Sequence, residues 1–294
     1  MSEIIQGLRR VRWPDGKRLC VTIGVAFEDF ERQSQYHQER VRPGQVDRFS
    51  LSYADYGWRV GVWRLLDFFG AQGVPVSFSC NGLAAERHPR VLAAMIDGGH
   101  SVVGHGWAND RLLAAFEDEE AERAEIRRTL DAIGEAAGSR PAGWISPGNM
   151  GSERTPSLLV SEGVRWCGDD ASDDLPYVQN IGGRPLAILP KANLAANDLV
   201  QWILPQNSPS VFAETLLDAV TTLDREASAD SGGWIDMVLH CHMAGRPAFL
   251  PTLARVMERL RELDGVWWAA KDDLAEVALA RPMTRDDDVR GAAR

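Results

Sequence analysis

Short apolar runs alternate with longer amphipathic stretches along nearly the whole chain, the pattern of β and α elements wound around a largely parallel sheet. The runs that predict strands are LCVTIGVAF ending at Phe27, VPVSFSC ending at Cys80, SVVGH at His105, AGWIS at Ser146, VRWCG at Gly168, LAILP at Pro190, WIDMVLH ending at His240 and VWWA at Trp268. Between them, apolar positions at helical spacing predict helices over residues 58–69, 89–97, 117–137, 155–162, 209–225, 251–263 and 272–280. No Gly/Ser/Pro-rich linker and no fixed repeat interrupts the alternation, which predicts one α/β domain of barrel type over residues 19–280. Residues 1–18 read as an N-terminal extension. The segment 28–57 is long for a strand-to-helix connection and is a lid candidate, and the polar, charged stretch 281–294 is expected to be a disordered tail.

Composition narrows the class. The 294 residues are 45% hydrophobic and 25% charged, those of an ordinary soluble enzyme, and the net charge of −10 opposes binding to nucleic acid or to an anionic membrane. No run approaches the roughly 20 apolar residues of a membrane span, and the start MSEIIQGLRRVRW lacks a signal-peptide core, so a cytoplasmic location is expected. Cys20, Cys80, Cys167 and Cys241 form no CxxC pair and are expected to be reduced core residues.

Three strand ends carry chemistry. The first strand runs into Glu28 and Asp29, at the edge of a barrel sheet where active sites assemble, and either carboxylate could activate water. In GGHSVVGHGWAND, His105 and Asn109 lie four apart, a spacing that could aim both at a metal together with Asp29, although an amide is a poor zinc ligand. IDMVLHCHMAGRP again ends a strand on a histidine, His240, which could protonate a leaving nitrogen, with His242 as a second candidate. Trp107 beside this cluster, the loop WISPGNMG with Trp144, Ser146 and Pro147, and Asp174 in the acidic run DDASDDLPY are expected to shape a substrate pocket. His37 and His88 are expected on the surface, and His100 in a structural role.

Together these motifs resemble the polysaccharide deacetylase family, carbohydrate esterase family four, and more closely its allantoinase-like and cyclic-imidase-like branch. AFED at Ala26 to Asp29 looks like the paired-acid motif, with Glu28 in the base position and Asp29 in the metal-ligand position; HGWAN at His105 to Asn109 is similar to the two-histidine motif, with Asn109 replacing the second histidine; and LHCHMAGRP at Leu239 to Pro247 resembles the late leucine–histidine motif. The resemblance implies a deformed (β/α)7 barrel, a hydrolase of non-peptide C–N bonds, a small-molecule substrate and a homo-oligomer, dimer or tetramer. It implies either no cofactor or one divalent metal, zinc foremost, on Asp29, His105 and Asn109. The leading expectation is opening of a small cyclic amide, imide or ureide. The alternatives are a metal-dependent N-deacetylase and a barrel that binds a small ligand without turning it over.

Overall fold

The computed structural model describes residues 11–32, 34, 45–191, 196–202, 206–228 and 231–280. Its organising element is β1 (Leu19–Phe27), buried at every position. Because side chains alternate along a strand, Leu19, Val21, Ile23, Val25 and Phe27 pack outward against helices in the main apolar core, while Gly24 and Ala26 face an interior cavity. Parallel neighbours follow at β2 (Ser77–Cys80), β3 (Ser101–Gly104), β4 (Gly143–Trp144) and β5 (Trp166–Cys167), each joined to the last. Two more strands, β6 (Tyr177–Ile181) and β7 (Arg184–Ile188), form an antiparallel hairpin, and β7 pairs with β5 in parallel. On the other edge of β1 lies β8 (Gly233–His240), in parallel register from Leu19↔Gly233 to Ala26↔His240. The short β9 (Val266–Ala269) pairs with the first half of β1.

Strand order is β6-β7-β5-β4-β3-β2-β1-β8, so seven parallel strands curl toward closure and the seam lies between β7 and β8, where Asn197 bridges Val238. This is the deformed (β/α)7 barrel, in one α/β domain. Among the described residues, no helix is long and apolar enough to cross a membrane.

Several local differences from the expected elements have plain causes. The β6–β7 hairpin turns on Gly182 and Gly183 at φ 58° and 84°, the two left-handed positions of a tight hairpin turn, between the acidic loop and the expected LAILP strand. Part of the long connection is helical: Arg48–Tyr56 is capped by the Asp47 carboxylate and runs through a π-helical turn, Gly57–Gly61, into the helix Val62–Gln72. Gly61 lets this segment touch the backbone of Cys241, where a Cβ would lie 2.0 Å from the carbonyl oxygen. Residues 33 and 35–44 of the lid candidate, residues 1–10 and the tail 281–294 lie outside the described residues. Residues 11–18 belong to the domain: Trp13 is buried, its indole N–H donates to the Gly233 carbonyl at 2.8 Å, and its ring meets Trp267. All four cysteines are free and buried, with their thiols pushed up by burial.

Candidate active site

The inward phase of β1 continues past its last residue. Gly24, Ala26 and Glu28 share one side and line a cavity of about 710 Å³ at the C-terminal ends of the strands, together with His105, Asn109, Lys191, His240 and Lys271. The small residues leave the space that the Glu28 side chain and a ligand need. Asp236, Val238 and His240 keep the same alternation on β8, and His105 follows β3 directly.

Glu28 sits between two imidazoles. Its Oε1 is 3.5 Å from His105 Nε2 and 3.7 Å from His240 Nε2, and its side chain is buried. His105 Nδ1 lies 2.6 Å from the Ile145 carbonyl, which can only accept, so Nδ1 carries the proton and Nε2 faces the cavity. His240 is held harder: Asp198 accepts from its Nδ1 at 2.6 Å and from its backbone N–H at 2.9 Å. Burial alone would lower the His240 pKa, but the charges of Asp198 and Glu28 raise it above its ordinary value. Burial likewise opposes ionisation of Glu28, yet the charge of His240, the neighbouring His105 ring and the charge of His242 bring its carboxyl down to about 2. The result is a row, Asp198–His240–Glu28–His105, poised as carboxylate, acid, carboxylate and acceptor.

Asp29 is on the other side of the strand end. Its Oδ1 accepts from Arg87 at 2.9 Å and from the Phe30 N–H at 2.8 Å, its Oδ2 lies 3.6 Å from His88 Nε2, and it is not among the residues lining the cavity. Burial is outweighed by these partners, and its pKa is lowered. The expected metal set was Asp29, His105 and Asn109. Arg87 holds a positive charge on the carboxylate that would have to take the metal, His105 turns to Glu28, and the described residues contain no group of three or more His, Cys, Asp or Glu arranged to hold a metal ion. The residues present do not fit a divalent metal. Asn109 does line the cavity, with its Oδ1 buried and without a hydrogen-bond partner, while its N–H donates to the Asp29 carbonyl.

The expected pocket residues divide. Trp107 is buried away from the cavity, beneath the Arg128 guanidinium and against Leu83 and Ala108. Trp144 is core, with its indole N–H on Ser146 Oγ at 3.0 Å, and Ser146 is in turn spent on Asp169 through N at 2.7 Å and Oγ at 2.6 Å. Pro147 is buried, its ring filling the space beside Gly106. Asp174 does not line this cavity but a second one of about 420 Å³, which shares Lys191, Asn197 and Val238 with the first. His242 lies behind His240, between Phe30 and Tyr53, and burial brings its pKa down to about 4. His88, expected on the surface, is mostly buried and stacks on Trp58 with centroids 4.4 Å apart; His37 falls outside the described residues. His100 is buried against Phe78, its Nδ1 without a hydrogen-bond partner. Lys191, Lys271, Asp198 and Arg87 were not singled out by the sequence. Asp198 and Lys191 lie in connections with no motif of their own.

Residues 47–166 match the profile of the family described as polysaccharide deacetylase. The matched stretch resembles a polysaccharide deacetylase domain. Among solved structures, the Puue allantoinase superimposes with a TM-score of 0.82 at 29% identity, covering 92% of this chain and 93% of that one. A probable polysaccharide deacetylase from Pseudomonas aeruginosa PAO1 gives the same TM-score and coverage at 28% identity. A Schizosaccharomyces pombe protein, provisionally named a polysaccharide deacetylase, is 27% identical over 92% of both chains. The chain resembles the allantoinase-like branch, and it is a hydrolase of carbon–nitrogen bonds other than peptide bonds.

Proposed function

We propose that the protein opens a small cyclic amide, imide or ureide by adding water across one C–N bond, with Glu28, His105 and His240 as the working groups. The observation that carries this reading is the row Asp198–His240–Glu28–His105 at one wall of a cavity of about 710 Å³, within the range of about 300–1,000 Å³ usual for small-molecule sites. Full-length likeness to an allantoinase supports a ring-opening substrate.

In this reading, water donates to Glu28 and to the Nε2 lone pair of His105, two acceptors 3.5 Å apart on one wall of the cavity. A carboxylate held at about 2 is a weak base, so its first contribution is to orient the water. Proton acceptance becomes favourable as His240 gives its proton to the departing nitrogen, because that removes the main charge holding Glu28 down. Asp198 keeps the His240 ring in one orientation and its Nε2 toward the leaving group.

The test is hydrolysis by purified protein of hydantoin, succinimide, allantoin and N-acetylglucosamine, each before and after treatment with a chelator. Turnover of a cyclic compound that survives chelation is expected. Turnover of the acetyl sugar alone, lost on chelation, would replace this reading with that of a metal-dependent N-deacetylase.

A further inference from the structure

Two lysines reach the cavity and are treated differently. Lys271 is buried and ion-paired, its Nζ 2.8 Å from Asp236 Oδ2, and Asp236 also accepts from Thr22 Oγ1 at 2.8 Å. Lys191 is partly buried, and among the described residues its ammonium has a single hydrogen bond, to Asn149 Oδ1 at 2.7 Å, and no carboxylate partner. An ammonium drawn out of water with N–H donors unspent is costly unless something else uses them. Burial, with the nearby charge of Lys271, lowers its pKa to about 8 against the pull of Asp236, Asp169 and Glu28, so it is still mostly protonated at neutral pH.

The Lys191 side chain is also held in a fixed frame. The Lys191 N–H donates to the Asp170 carbonyl at 2.7 Å, Asp169 clamps Ser146, and the turn Pro147–Asn149 places Asn149 at φ 58°, in the left-handed region that Asn tolerates. Loops following β4, β5 and β7 thus converge on one cation at the cavity wall opposite no carboxylate of its own.

We propose that Lys191 is the electrophile of this site, receiving the carbonyl oxygen of the scissile bond and the negative charge that develops on it. The proposal rests on the hydrolytic reading above. Water held on Glu28 adds to the carbonyl carbon, and the carbonyl π pair moves onto the oxygen facing Lys191. Collapse restores the C=O bond and breaks the C–N bond, while the His240 proton goes to nitrogen and the proton of the added water passes to Glu28. Glu28 then returns its proton to His240 across the 3.7 Å gap, and the new carboxylic acid ionises with its carboxylate against Lys191. Lys191 therefore also sets affinity for the carboxylate product.

The experiment pairs calorimetric titration with succinamate, the ring-opened form of succinimide, with steady-state kinetics on whichever compound of the panel the wild type hydrolyses. Lys191→Met is expected to weaken succinamate binding at least about tenfold and to lower kcat by about 100-fold to 1,000-fold, with KM changed by less than about threefold. Lys191→Arg is expected to keep succinamate affinity, and Lys191→Gln replaces Lys191→Met if the latter fails to fold. Wild-type succinamate affinity or kcat in the folded Met or Gln variant overturns the proposal, as does a wild type that does not bind succinamate. A wild type that binds succinamate through Lys191 but hydrolyses nothing overturns the functional reading and leaves the anion site standing.

Discussion

Glu28 and Asp29 are neighbours in sequence, both carboxylates, both buried, and both with lowered pKa values, yet they live in different parts of the molecule. Glu28 faces the cavity between the imidazoles of His105 and His240. Asp29 faces the helix side, where Arg87, permanently charged, and the N–H of Phe30 hold its Oδ1. One carboxylate is coupled to groups whose charge can change during a reaction. The other is locked to one whose charge cannot. A low pKa thus marks both chemistry and architecture, and the nature of the partner tells them apart.

The comparison breaks most visibly in kinetics. Glu28→Gln and His240→Ala are each expected to lower kcat/KM by about 100-fold to 10,000-fold, whereas Asp29→Asn should lower it far less and act mainly on Tm. Equal kinetic losses at Glu28 and Asp29 would erase the distinction. Next in size is Asp198→Asn, for which a loss in kcat of roughly tenfold to 100-fold is expected. Because Asp198 raises the His240 pKa, its removal must lower it, so the alkaline limb of the pH–rate profile should move to lower pH; an unmoved limb would remove His240 from the role of acid.

On the architectural side, Arg87→Ala leaves a buried carboxylate short of its partner and should cost about 1–3 kcal/mol in denaturant unfolding, with chemistry largely intact. Both acids have folded pKa values below their ordinary ones, so the stability they contribute is present above about pH 4.5 and is lost as pH falls through the lowered values, about 2 for Glu28. His240, whose folded value is raised, contributes the reverse: full stabilisation below about pH 6.5, lost as pH climbs through the raised value. The smallest expected effect is that of a chelator, less than about twofold on turnover of a cyclic substrate, since Arg87 occupies the carboxylate a metal would need. Activity lost on chelation and restored by zinc would show that Asp29 can exchange Arg87 for a metal.

Much of this contrast was legible in the sequence. The period of two in VTIGVAFED puts Glu28 on the side of Gly24 and Ala26 and Asp29 on the side of Val25 and Phe27, and the same count puts His240 with Val238 and Asp236. Because the alternation continues through the strand end, Asp29 turns away from Glu28 although the two are adjacent in sequence. Trp107, Trp144, Ser146 and Pro147 stand beside motif residues but turn into the core, because a loop's side-chain directions follow its φ/ψ values rather than any period. The β6–β7 hairpin had its signal in Gly182–Gly183, overlooked because the acidic run before it reads as loop.

By itself, then, the sequence determined the alternation of strands and helices, the single barrel domain, and the arrival of Glu28, His105 and His240 at strand ends, since each depends on patterns within about ten residues. Only the tertiary structure decided what those groups meet. Asp198 reaches His240 across 42 positions, Arg87 reaches Asp29 across 58, and Asn149 meets Lys191 across 42. Such pairings are set by how the sheet curls and where its connections land, and no local pattern in the chain encodes them.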